Sequence, residues 1–528
     1  MSPLKRGTTR VVALSVATSV GLALSAAALA DISQSGEQKN MRRVGHTDLQ
    51  GRPAYQPNFI VYPDGRTIAF VGTHGGSKPN PLKGGAVELN GVMIIDVTDP
   101  ARPVEKAHIP VPAAGGQSQS VRMCLGADLP KGIPGKVYMM RNVQGSTASG
   151  YEVWDVTDVA KPVLAGEMRN LVNTHKHWWE CKTGLAFMPG SRKQDGWRQG
   201  QSMMIVDWSD PARPSYLRTH GLPGGQKSGT GPVPPSLHGP ISAHEHPNAE
   251  GRLARGATTS DVIGNRVYTA WGVGDDGVLQ VLDRTKLLPP PYGTFSGDPN
   301  NPSNDELRAA QVSILNMSPD QGGHTSMPVF GLTPKSYEKY SEFKTRDIVL
   351  LASEATSNKC QEAPHWSFIV DVTVENSKTS PPGTRPEQDV WQGPMVLSTM
   401  SVDPRMGEKY RRGNYCDRGA RFGVHSSEEN FRNPYYGRVT LLAYFTGGIR
   451  VWDIREPQEP VELGFYVPVS NANTTVDGYM TNNVEIDNRG YIYAVDRNGA
   501  GLDILALTGK ARKIALGKDG QGDNDDED

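Results

Sequence analysis

Short runs of four or five apolar residues, many of them β-branched, recur along the chain, and most of them end on an aspartate. VMIIDVTDPARP at residues 92–103 is the clearest copy. It returns as YEVWDVTDVAKP at 151–162 and MMIVDWSDPARP at 203–214. Weaker copies are VLQVLD at 278–283, SFIVDVT at 367–373 and IRVWDIREPQEP at 449–460. A seventh, LDILALT at 502–508, carries Ala506 where the others carry the aspartate. Such runs predict strands buried on both faces. The aspartate, with Thr or Ser behind it, can fold its carboxylate onto turn amides and end the strand.

Further strand-like runs lie between the copies, over 58–62, 67–72, 136–140, 348–352, 439–444 and 491–495, with Gly and Pro between them. No long helical period appears after the N-terminal segment; 305–312 is the best helix candidate. Repetition of one strand-rich unit predicts an all-β fold, a single seven-bladed β-propeller. Successive repeat positions lie 52 to 88 residues apart. Since blades run about 40–50 residues, these carry long loop insertions. The largest are expected near 221–240, 288–319 and 377–421, and long loops on a rigid scaffold are where function concentrates. The aspartates Asp96, Asp155, Asp207, Asp283, Asp371 and Asp453 are expected at equivalent turns.

The IIDVTDPARP copy resembles the LVIVD repeat, found in secreted bacterial β-propellers. The resemblance covers most of the chain beyond its N-terminal segment. It implies the propeller fold and carries little about function.

Candidate chemistry rests on histidines, of which there are twelve. Several recur where the first strand of a blade is expected to begin: HKHWWEC at 175–181, AHEHP at 243–247, GGHT at 322–325 and GVHSSE at 423–428. NNVE at 482–485 takes the comparable place in the last blade. First strands line a propeller's axis, so these imidazoles converge although they are distant in sequence. Imidazole suits Zn, Cu, Fe and Ni. The expected metal ligands are His177, His246, His324 and His425, with His175 and His244 as substitutes, and Cu or Fe is expected ahead of Zn. Glu180, Glu428 and Glu485 are expected to orient ligands from a neighbouring blade. His46, His74, His108, His220, His238 and His365 read as scattered, with His74 the foremost exception. The arrangement is similar to carotenoid cleavage oxygenases and selenium-binding proteins (methanethiol oxidases among them) only in placing histidines on a propeller axis.

The ends of the chain add a location. Lys5, Arg6 and Arg10 precede an uncharged stretch from residue 11 to Ala30, with small residues at Ala28 and Ala30. This predicts a cleavable Sec-type signal peptide over 1–30 and a periplasmic or secreted product. Residues 31–54 form an N-terminal extension expected to close the ring, 55–518 the propeller, and 519–528 an acidic disordered tail. No later segment is apolar enough to span a bilayer. A net charge of −1 without a basic stripe argues against nucleic acid. Cys124, Cys181, Cys360 and Cys416 allow two disulfides in any of three pairings. No serine-hydrolase elbow, P-loop or HExxH appears. Two readings follow. One is an exported Cu- or Fe-dependent oxidoreductase or oxygenase acting on a small molecule at the axis; the other is a non-catalytic propeller binding a protein, glycan or envelope component through its loops. Substrate and oligomeric state are not encoded in any recognisable pattern.

Overall fold

Each strand that ends on the repeated aspartate is the third strand of an antiparallel sheet, and the aspartate does fold back. Asp96 accepts from the amide and hydroxyl of Thr98 at 3.1 and 2.6 Å. Asp155 accepts the same pair from Thr157 at 3.0 and 2.5 Å. Asp207, Asp371 and Asp453 accept the amides of Ser209, Thr373 and Arg455 at 2.9, 2.8 and 3.1 Å. Asp283 instead accepts the amide of Lys286 at 3.1 Å and caps the short helix Arg284–Leu287. Just before each aspartate the ladder to the fourth strand slips, at Ile94/Ile95, Val153/Trp154, Ile205/Val206, Val281/Leu282, Ile369/Val370 and Val451/Trp452. A bulge repeated at one place gives every sheet the same bend and added twist.

The computed structural model describes residues 37–251, 262–340, 344–373, 394–474 and 478–519. The expected signal segment, and residues 520–528 of the expected tail, lie outside them. The architecture is all-β and propeller-like. Five separate four-stranded sheets begin with strands Ala54–Val61, Val121–Leu125, Trp178–Trp179, Leu237–Ser242 and Thr325–Leu332. A nine-stranded sheet holds two further groups, one starting at Phe422–Ser427 and one at Thr481–Ile486, joined through the single pair Phe445–Thr481. Each first strand touches the first strand of the next group, and Thr481–Ile486 touches Ala54–Val61, closing the ring. Between strands of the fourth sheet, the helix Asn304–Ala309 overlaps the expected helical stretch 305–312 but ends earlier, and Gln311–Asn316, which takes its last two residues, is a strand.

Sheet faces pack on one another around this ring. Phe70 and Ile94 of the first sheet meet Val121, Val137 and Met139 of the second. Met140 and Val153 of the second meet Ala186, Met188 and Met204 of the third. Each such side chain contributes roughly 1.5–3 kcal/mol by leaving water, so the ring needs no ligand to hold it. The disulfides are Cys124–Cys181 and Cys360–Cys416, and both join loops or strands of successive sheets. Among the described residues no helix is long and apolar enough to cross a membrane.

The N-terminal residues complete the ring. Met41–Thr47 forms the outer strand beside Leu502–Leu507, and Glu37–Lys39 pairs outside Val461–Val467. Deleting residues 37–47 uncovers Leu505 and Leu507, both buried against Met41, and should lower the thermal midpoint by roughly 5 °C or more in a calorimetric scan. Asp519→Ala breaks only the half-exposed pair with Arg455 and should leave it unchanged.

Glu428 supplies a pH signature. Its buried carboxylate accepts the Leu441 amide at 2.9 Å and the Thr440 hydroxyl at 3.0 Å, and burial pushes its pKa up to about 8. Between its unfolded value near 4.5 and about 8, the folded chain keeps a proton that the unfolded chain gives up. Stability therefore falls as pH rises through this window. Glu428→Gln should flatten that fall in urea titrations from pH 5 to 8; an unaltered slope would assign it to other groups.

Candidate functional site: a histidine-lined axis

The first strands and the residues flanking them meet on the axis, and there the chain places imidazoles. The His175 and His238 rings lie 4.2 Å apart, His238 and His324 3.7 Å, and His324 and His425 4.2 Å, centroid to centroid. The four come from four successive groups of strands. Tyr55, from the first sheet, points its ring into this arc, 5.6 Å from His175 and 5.5 Å from His425, and His74 flanks it at 5.3 Å. The Tyr55 hydroxyl is 3.3 Å from His238 Nε2 and 3.4 Å from His324 Nε2.

Backbone detail sets these positions. Gly322 and Gly323 precede His324, and a Cβ on either would lie 2.0 Å from the Val273 carbonyl or 2.6 Å from that of Trp271. Only glycine lets this segment press against the preceding sheet. His425 Nδ1 donates to the Asn482 carbonyl at 2.6 Å, which leaves Nε2 as a buried lone pair without a hydrogen-bond partner. His238 Nδ1 and His324 Nδ1 are likewise buried and have no hydrogen-bond partner among the described residues. Burial holds His74, His238, His324 and His425 well below the ordinary imidazole range, and His175 at about 3, so all five are neutral and able to donate lone pairs.

One carboxylate joins them. Glu354 Oε2 lies 3.4 Å from His324 Nε2, and its Oε1 lies 3.7 Å from His425 Nε2. Donor atoms of His238, His324 and Glu354 fall within 4.8 Å of one another. Burial raises the Glu354 pKa, against the pull of Arg497 and Arg421. Arg421 Nη1 contacts Glu354 at 2.7 Å and Arg497 Nη1 at 3.6 Å.

The opposite end of the axis is closed by ion pairs. Glu429 meets both Lys176 and Arg122, and Gln56 donates to it at 3.2 Å. Burial opposes ionisation of Glu429, but Lys176 and Arg122 outweigh it and hold the carboxyl below its usual range. Beyond this plug lies a cavity of about 410 Å3 lined by Trp178, Phe431, Glu245 and the Cys124–Cys181 disulfide.

Of the six histidines expected as ligands, His175, His324 and His425 are in the cluster. His177 turns edge-on to Tyr151 at 5.3 Å. His246 packs among Phe330, Phe431 and Tyr436, and His244 lies near Glu180, outside the arc. The three glutamates expected to orient ligands serve elsewhere. Glu180 pairs with Arg284 at 2.6 Å, Glu428 anchors the strand at Leu441, and Glu485 accepts the Glu429 amide at 3.2 Å. Sequence reasoning passed over Tyr55, His238 and Glu354. His238 sits in Leu237–Ser242, whose Gly239 and Pro240 read as loop. A proline fits there because an innermost strand pairs on one side only.

The LVIVD repeat family matches residues 86–109. No curated protein is significantly similar to this sequence. Among solved structures, the chain is similar to the Myceliophteria thermophila Cps50 (Swd1) β-propeller domain at 11% identity and a TM-score of 0.41, covering 88% of this chain and 98% of that one. The C-terminal WD40 domain of Sif2 aligns at 8% identity and TM-score 0.41, over 89% and 99%. The RRP9 WD40 repeats align at 11% and 0.42, over 90% and 99%. The aspartate-ended repeats, the ring of sheets and the family match agree: this is a β-propeller protein carrying an LVIVD repeat.

Proposed function

We propose that this chain is an exported, seven-bladed propeller that holds a redox-active transition metal on its axis and uses it as an oxidoreductase on a small molecule. The blade count is supported by five separate four-stranded sheets plus the two groups within the nine-stranded sheet, each completed by an N-terminal strand or by its own fourth strand. Export is supported by the residue 1–30 pattern and by two disulfides, which persist in oxidising compartments.

The observation that carries the metal is the meeting of His238, His324 and Glu354, with His425 Nε2 beside the same carboxylate. Two donors on opposite sides of an ion, at bond lengths of about 2.1 Å, are about 4.2 Å apart, so small side-chain rotations close this set on one ion. Two imidazoles and a carboxylate suit non-haem Fe(II), which places iron ahead of copper here. The bound ion would supply electron transfer or oxygen chemistry. The chain's own part is to keep the imidazoles neutral, exclude water, and hold a phenolic proton at Tyr55 between His238 and His324.

Elemental analysis of untagged protein from the periplasm should give about one iron or copper per chain. His324→Ala and His425→Ala should lose most of it and stay folded, while His177→Ala should keep it. Metal content unchanged in both His324→Ala and His425→Ala would overturn the reading and leave a loop-binding scaffold in its place.

A further inference from the structure

The two ends of the axis differ in charge, and the difference names a ligand. At the plugged end, Lys176 and Arg122 converge on Glu429, with side-chain exposures of 3%, 11% and 2%. At the other end two guanidiniums share Glu354. Arg421 and Arg497 keep 22% and 23% of their side chains exposed, and both reach a carboxylate that is itself only 7% exposed. At this end the arginines lie between the Glu354 carboxylate and solvent.

Arg421 donates through Nη1 to Glu354 at 2.7 Å and to the Ala355 carbonyl at 3.2 Å, and its guanidinium lies over Phe445. Arg497 is held more loosely: its Nη1 reaches Asn482 Oδ1 at 3.5 Å and Glu354 Oε1 at 3.6 Å. Among the described residues nothing accepts from Nε or Nη2 of either arginine. A half-buried guanidinium with one edge of its donor fork unused matches a planar pair of oxygens. Guanidinium stays protonated, so the surplus of positive charge at this end does not depend on pH.

We infer that the axial site takes a small organic anion bearing a carboxylate, which enters on the Arg421 face and is gripped by the free edge of Arg497. This rests on the axial-site reading above and gives it a substrate class. An ion on His238, His324 and Glu354 would use up part of the one negative charge that these arginines share, which strengthens the demand for an anion. The distant cavity beyond Glu429 plays no part, since the Lys176–Glu429–Arg122 plug separates it from the imidazoles.

The test compares acetate with acetamide, nearly isosteric and uncharged, by ligand-observed NMR on the full mature chain stripped of metal. Acetate should bind roughly tenfold or more tightly than acetamide, as charge-assisted pairing requires. Arg497→Gln should erase the preference, and Arg497→Lys, which keeps the charge and loses the fork, should restore part of it. Should Arg497→Gln fail to fold, Arg421→Gln reads the same loss of anion preference. Equal binding of acetate and acetamide, a preference that survives Arg497→Gln, or phosphate displacing acetate at lower concentration would each overturn the inference. Because the protein is metal-free, failure here is distinct from failure of the metal reading, which is decided by metal content alone.

Discussion

Completion of the last sheet by the chain's first strands is the constraint on which the axis depends. Met41–Thr47 lies along Leu502–Leu507, and within eight residues the chain turns inward to Tyr55. The same last group then fixes that tyrosine, because the Asn482 side chain donates to the Tyr55 carbonyl at 2.9 Å. Asn482 also receives His425 Nδ1 through its own carbonyl. One residue thus ties the phenol of the first sheet to an imidazole of the sixth group. An open ring would expose two sheet edges and release both ends of this tie.

With the ring closed, the axis becomes a narrow, poorly solvated space that must hold polar side chains. The chain meets this in two ways. Charged groups are paired, as in Lys176 and Arg122 with Glu429, because an uncompensated buried ion would cost several kcal/mol. Imidazoles are kept neutral, and several of their nitrogens have no protein partner. Buried polar atoms without partners are rare and call for an occupant, either ordered water or an ion.

The sequence revealed the scaffold more fully than the site, for a physical reason. Strand-ending aspartates such as Asp96 and Asp155 act through residues two positions away, so their role is written locally. The all-β class and the repeat turns could be read that way, and closure by the N-terminal strands followed from a last repeat that is incomplete. Axial position is a different matter, because it depends on where a first strand begins. The third sheet's first strand is only Trp178–Trp179, so the axial residue is His175, in the extended segment before it, and not His177. The fourth sheet begins at Leu237, several residues before the His244/His246 pair that drew attention. Glu354 follows a second strand, two residues after Ala352, a place with no recurrent signal in the other repeats.

Repeat geometry offers one inward position per group, and the way this chain fills them gives the site a direction. Reading around the axis, the occupants are Tyr55, then Gln119 (which donates to His74 at 3.2 Å), then His175, His238, His324 and His425, and finally Asn482. Imidazoles fill one continuous arc; a phenol and two amides fill the rest. Four on one side, with Glu354 beside His324 and His425, face a phenol that reaches His238 and His324. The Tyr55 side is also the one from which Arg497 reaches Asn482. The asymmetry of sequence within a repeated scaffold is therefore what gives the packed axis one side rich in imidazoles and another closed by a phenol and amides.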